Sequence, residues 1–170
     1  MHDKKIAVVL APLQATFIEQ YLQKFSPAVM AALHVKDKES ERVYVQEALA
    51  KHQEGQTFFY CIFDEKTDEL FGALEIRSPE SSRGQLYTWL HEDCWGKSIF
   101  QQALYLAALD YFSKSGTLYF DATVDVENVR SYKALKKAGF ADIGINEGPF
   151  DKQFVLIYRN KNYESRNYRE

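Results

Sequence analysis

Two hydrophobic periodicities alternate along the 170-residue chain. Leu13, Phe17, Tyr21 and Leu22 recur at helical steps and predict a helix over 13–24. Ser26-Pro27 interrupts that pattern, because proline lacks an N–H and favours a helix start, so a short helical turn is expected over 27–33. The polar stretch Lys36 to Ser40 reads as a connection, with Ser40 placed to cap a helix from Glu41 to about His52 that Gly55 ends. Upstream, Lys4 to Ala11 pairs basic residues with a short apolar run and reads as a first strand. It lacks a convincing cleavage site for a signal peptide.

Residues 57–63 and 70–76 then follow the spacing of strands, separated by the polar stretch Asp64 to Glu69, which predicts a hairpin. Ser78 to Gly84 is a second turn signal, leading into the strand pattern Leu86 to Leu90, so three antiparallel strands form a meander. The strand stops at His91-Glu92-Asp93-Cys94-Trp95-Gly96-Lys97 and the chain enters an apolar helix from Ser98 to about Phe112. That helix has almost no wholly polar face and is expected to be packed on several sides. A further strand, Thr117 to Val124, precedes a helix from about Val129 to Ala138 that Gly139 terminates. Strands over 140–144 and 154–158, joined through Asn146 to Pro149, complete the pattern, and a polar tail follows.

The strand, loop and helix around Gly96 carry the most chemistry. The first turn of a helix leaves N–H groups without intrahelical partners, and its dipole adds partial positive charge, so such a junction suits an anion such as a pyrophosphate. Gly96 lets the backbone come close and Lys97 adds charge. A junction that binds nothing fits the same residues.

Composition narrows the choice. With 46% hydrophobic residues the chain supports one substantial core, read as a single domain over 1–160 with a tail over 161–170. A formal charge of −3 and the lack of a Lys/Arg block argue against binding nucleic acid or an anionic membrane by bulk charge. No run approaches the roughly 18 apolar residues of a membrane span, and a cytoplasmic location is expected. Cys61 and Cys94 make no disulfide framework, the four histidines show no ligand spacing, and no metal is expected. Cys61 reads as core and Cys94 as a small residue tolerated in the loop.

Trp95-Gly96-Lys97, the run Tyr87 to Leu90 before it, Asn128-Val129-Arg130-Ser131, and Gly139-Phe140 together resemble the GNAT acetyltransferase superfamily. The order of elements from Leu13 to Tyr158 is similar to its ribosomal-protein N-terminal (Rim-type) branch. The resemblance implies an α/β (α+β) fold with a mixed, mostly antiparallel sheet of about seven strands, a parallel splay at its centre and flanking helices. It also implies acetyl-CoA as co-substrate and a primary amine as acceptor, either a protein N-terminus or a small amino compound, with direct attack in a ternary complex. By the same resemblance the pantetheine arm pairs with backbone around Leu90 to Glu92. Amides from Cys94 through Trp95, Gly96 and Lys97 to Ser98 hold the pyrophosphate, and the Asn128 side chain contacts the arm near the thioester.

The chain departs from the family pattern at three positions. Asp93 and Ser98 stand where the loop usually carries Gln or Arg and Gly or Ala, and Leu135 stands where many members place a tyrosine acid seven residues after the Asn. Ser131 is the substitute acid implied by the Rim-type branch; helix capping is its alternative reading. For the base, Glu75, Tyr87, and His91 or Glu92 are candidates, against ordinary surface roles for Glu75 and His91. Trp89 and Trp95 fit either an acceptor groove or packing. A CoA- or peptide-binding module without turnover is the rival reading, a structural subunit that dimerises through its aromatic surface is a third, and a homodimer is left open. Acceptor choice is expected to reside in segments 26–40 and 146–151.

Overall fold

The computed structural model describes residues 5–78, 84–149 and 151–161. Seven strands form one sheet in the order β1-β2-β3-β4-β5-β7-β6. β1 (Val8–Pro12), β2 (Thr57–Asp64), β3 (Leu70–Arg77) and β4 (Gly84–Leu90) run antiparallel to their neighbours. β5 (Tyr119–Asp125), β7 (Lys152–Arg159) and β6 (Ala141–Glu147) form a second antiparallel set. The two sets meet in one short parallel contact, in which Gly84 pairs with Phe120 and Gln85 with Asp121. Beyond Gln85 the strands separate, which leaves the β5-facing edge of Leu86–Leu90 without a strand partner. This is the expected mixed sheet with a central parallel splay.

Helices cover both faces. α4 (Ile99–Ser115) and α5 (Val129–Ala138) pack on one side over Tyr60, Ile62, Leu74, Ile76 and Phe120. α1 (Ile18–Lys24), α2 (Pro27–Leu33) and α3 (Lys38–Gln53) pack on the other over Phe59, Cys61, Ala73 and Trp89. Alternate residues of β2 and β3 therefore serve different cores, which is why these strands read as nearly continuous apolar runs.

Several boundaries differ from expectation. The helix expected over 13–24 begins as a 3-10 turn, Ala15–Phe17, and becomes α-helical only at Ile18. α3 starts three residues before the expected Glu41, because Asp37 rather than Ser40 is its cap: the Asp37 carboxylate accepts from the Ser40 N–H at 2.8 Å. α2 follows the Ser26-Pro27 signal, with the Ser26 hydroxyl accepting from the Val29 N–H. β1 runs from Val8 to Pro12; Lys4 lies outside the described residues, as do most of the expected turn before β4, Phe150 and the tail from residue 162.

α4 is not enclosed on all sides. Tyr105, Leu106 and Leu109 are exposed while Ile99, Ala103, Leu104, Ala107 and Tyr111 face the core. As part of an outer layer against one face of the sheet, it buries one stripe and leaves the other open.

Candidate active site

A cleft of about 560 Å³ opens where β4 and β5 part. Its walls are Leu86 to Leu90 of β4, Ala122 to Asp125 of β5, the loop from Cys94 to Ser98, the first turn of α4, one side of α5 and the end of α2. Strand divergence makes the cavity, and the glycine at position 72 keeps β3 and β4 close beside it. A Cβ there would lie 2.1 Å from the Trp89 carbonyl oxygen.

Of the residues singled out from sequence, Tyr87, Leu90, Cys94, Trp95, Gly96, Lys97, Ser98, Asn128 and Ser131 all line this cleft. Gly96 and Ser98 both have left-handed backbone, with φ of 75° and 61°. Two such residues within three turn the chain sharply into α4. For a serine this conformation is strained, at a cost of about 1 kcal/mol. Ser98 is the N-cap of α4 but its side chain makes no capping hydrogen bond, so that helix begins without a side-chain acceptor on its first-turn amides. Asp93, which stands where the family loop usually carries Gln or Arg, points elsewhere. Its carboxylate is 85% exposed and lies 3.6 Å from His91 Nδ1, outside the cleft lining.

Trp95 closes part of the open strand edge. Its indole N–H donates to the Leu90 carbonyl at 3.0 Å, and the Arg130 guanidinium of α5 lies 3.2 Å above the ring centroid. Arg130 thus links α5 to the loop across the cleft. Sequence spacing alone did not single it out.

Asn128 caps α5, its Oδ1 accepting from the Ser131 N–H at 3.2 Å. The hydroxyl of Ser131 has no hydrogen-bond partner among the described residues and is available to a ligand. Leu135, one turn further, is buried and continues the cleft wall with hydrocarbon.

The structure separates Glu75 and Glu92 from the cleft. Neither is among its lining residues. Glu75, weighed from sequence as an exposed strand carboxylate, is 3% exposed. It accepts from the Tyr44 hydroxyl, from Thr57 Oγ1 at 2.7 Å and from Arg77 Nε at 3.1 Å. Those donors occupy the lone pairs a base would need. The Glu92 carboxylate accepts from Ser26 Oγ at 2.5 Å and so ties the loop to the start of α2.

Behind Tyr87 lies a buried polar layer. Trp89 Nε1 donates to the Tyr21 hydroxyl at 2.9 Å, which donates to Glu41 at 2.6 Å. Burial, together with nearby Glu75, pushes the Glu41 carboxyl up to about 7 against the opposing hydrogen bond from Tyr21. The Tyr87 phenol is also pushed well up, first by burial and then by the negative charges of Glu41 and Glu75, with Arg77 opposing. Tyr87 therefore faces the cleft as a protonated phenol, unsuited to act as a base. Burial raises the Cys94 thiol to about 11, so it presents no ready thiolate.

At the opposite end is a pair that sequence spacing could not reveal. His34, the residue capping α2 at its C-terminus, places Nε2 3.1 Å from Asp125 Oδ2 at the end of β5, and Gln153 of β7 donates to Asp125 Oδ1 at 3.1 Å. All three line the cleft. Hydrogen bonds from Gln153 and His34 hold the Asp125 carboxyl below its ordinary range.

The comparisons with known proteins agree with this architecture. Residues 8–141 match the family model described as acetyltransferase (GNAT) domain. No curated protein matches the chain in sequence. Similar solved structures include an acetyl transferase from Salmonella typhimurium that modifies the N-terminal serine of the 50S ribosomal subunit protein L7/L12. It is 20% identical over 91% of this chain and 95% of its own, with a TM-score of 0.77. A ribosomal L7/L12 alpha-N-protein acetyltransferase in complex with coenzyme A is 20% identical over 89% and 93%, with a TM-score of 0.73. A microcin C7 self immunity acetyltransferase in complex with acetyl-CoA and AMP is 13% identical over 90% and 92%, with a TM-score of 0.74. With its family model matched over most of its length and a parallel splay opening onto an uncapped helix start, the chain belongs to the GNAT acetyltransferase family.

Proposed function

We propose that this protein transfers the acetyl group of acetyl-CoA to a primary amine by direct attack within a ternary complex. The observation that carries the reading is the cleft itself. An open strand edge, a glycine-containing loop with two left-handed residues, and an uncapped helix start all face one cavity. Such an edge suits an extended amide-bearing arm, which adds to it as a strand would. The helix start suits a pyrophosphate, and Lys97, Arg130, Lys133 and Lys137 bring positive charge to the same walls. Acyl transfer then needs a neutral amine, a polarised thioester carbonyl and a proton for the departing thiolate. The free hydroxyl of Ser131 is the donor we assign to the thiolate. Two of the structural relatives act on a ribosomal protein, which makes a peptide N-terminus the first acceptor to test.

Leu135 favours a second reading, a module that binds CoA or a peptide without turnover, since a buried leucine occupies the position of the usual tyrosine acid. Thiol release from acetyl-CoA over Ser- and Ala-led peptides, spermidine and small amino compounds separates the two. The transfer reading expects release above the hydrolytic background with at least one amine. Tight binding of CoA with every amine inert supports the binding module. No thermal stabilisation by millimolar acetyl-CoA or CoA refutes transfer and the CoA-binding module alike, and leaves a peptide as the one ligand of the second reading.

A further inference from the structure

We propose that His34 is the base that takes the first proton from the acceptor ammonium, with Asp125 as its positioning residue. This rests on the transfer reading above. The cleft lining offers few alternatives. Lys97, Arg130, Lys133 and Lys137 are cations, the Tyr87 phenol and Cys94 thiol are held protonated by burial, and Glu75 and Glu92 are tied to other partners outside it. Among the lining residues His34 carries the one imidazole, and the one carboxylate, Asp125, is already engaged by Gln153 and His34.

The arrangement is ordered from β7 outward. Gln153 sits opposite Asp125 in the β5–β7 register and donates to one carboxylate oxygen, while the other faces His34 Nε2 at 3.1 Å. A carboxylate there selects the tautomer with the proton on Nε2 and leaves the Nδ1 lone pair free, and it stabilises the imidazolium once formed. His34 is held by left-handed backbone, φ 56° and ψ 35°, at the end of α2, with its N–H bonded to the carbonyls of the last turn. Asp125 is also the single carboxylate among the lining residues, whose other charged members, Lys97, Arg130, Lys133 and Lys137, are basic, so it supplies the one negative charge that attracts an ammonium.

The step balances as follows. Nδ1 of His34 accepts one proton from R–NH3+, and the freed lone pair forms the C–N bond at the acetyl carbon. The C–S bond breaks, and the sulfur leaves with the electron pair. A second proton from the amine nitrogen reaches the sulfur through the Ser131 hydroxyl. His34, whose side chain is 78% exposed, returns its proton to water.

The test is the pH dependence of kcat/KM, measured with the best amine from the panel above. The charged and titratable groups that line the cleft with the imidazole are Asp125 of β5, Tyr87 of β4, Cys94 and Lys97 of the loop, and Arg130, Lys133 and Lys137 of α5, of which Asp125 is in contact with it. The wild-type profile is expected to rise with pH through an inflection that depends on His34. His34→Gln should lose on the order of 100-fold at pH 7 and lose that inflection, while stabilisation by acetyl-CoA is unchanged. Asp125→Asn should shift the inflection to lower pH. His34→Gly tolerates the left-handed backbone, and added imidazole should restore part of its rate. A His34→Gln profile within threefold of wild type from pH 6 to 9, or a uniform loss with the inflection unmoved and no imidazole rescue, overturns the assignment while leaving acetyl transfer intact. Absence of transfer by the wild-type protein overturns both.

Discussion

The buried acid behind Tyr87 makes a measurable thermodynamic prediction. Glu41 is 2% exposed and, among the described residues, its one side-chain hydrogen bond is from Tyr21. Its carboxyl rises from 4.5 to about 7, with burial as the largest cause. At about 1.4 kcal/mol per pKa unit, this corresponds to about 3 kcal/mol favouring the protonated acid in the folded chain. The unfolded chain ionises near 4.5, so between that value and 7 the native state binds more protons. Stability attributable to Glu41 is therefore fully present below pH 4.5 and is lost as pH rises through about 7. Glu41→Gln keeps an acceptor for the Tyr21 hydroxyl and removes the ionisation. Relative to wild type, the variant should gain under about 1 kcal/mol at pH 5 and about 3 kcal/mol at pH 8. Urea denaturation of both proteins across pH 5–8, with equal m-values, reads the difference directly. A pH-independent offset, or a gain confined to the acid side, would refute the reasoning.

Three further expectations concern the cleft. Gly72→Ala places a methyl against the Trp89 carbonyl at 2.1 Å and Leu90 Cα at 2.9 Å, so it should cost roughly 1–3 kcal/mol or more and lower the thermal midpoint. Unchanged stability and cofactor response would mean that β4 shifts freely. Arg130→Ala removes the cation over Trp95, so indole fluorescence should change without a change in fold, and acetyl-CoA should stabilise the variant less than wild type. Ser131→Ala, which keeps the Asn128 cap because that bond uses the backbone N–H, should lower kcat on the order of 10-fold or more with little change in stability.

The elements legible in the sequence were those whose cause is local. The turn at Ser26-Pro27, the hairpin between β2 and β3, the glycine that ends α5 and the loop around Gly96 each follow from residue type and spacing, so their places required no knowledge of neighbours. The start of α3 was misplaced because Asp37 and Ser40 are both capping residues, and only packing decides which one faces the helix start. Glu75 reads as an exposed strand residue until α3 lies over it and brings Tyr44 within reach. Glu41 likewise looks like a surface helix residue, and its burial depends on Tyr21 arriving from α1.

The sequence by itself determined the alternation of strands and helices, the polar loop with its glycine, and the glycine that ends α5, because these express preferences of short stretches of backbone. Tertiary structure alone decided that β4 and β5 part after two residue pairs, and that His34 meets Asp125 across 91 positions of chain. The physical reason is one of range. Backbone propensity acts over a few residues, whereas a cavity and the charges that face it exist only after distant elements have packed against the same sheet.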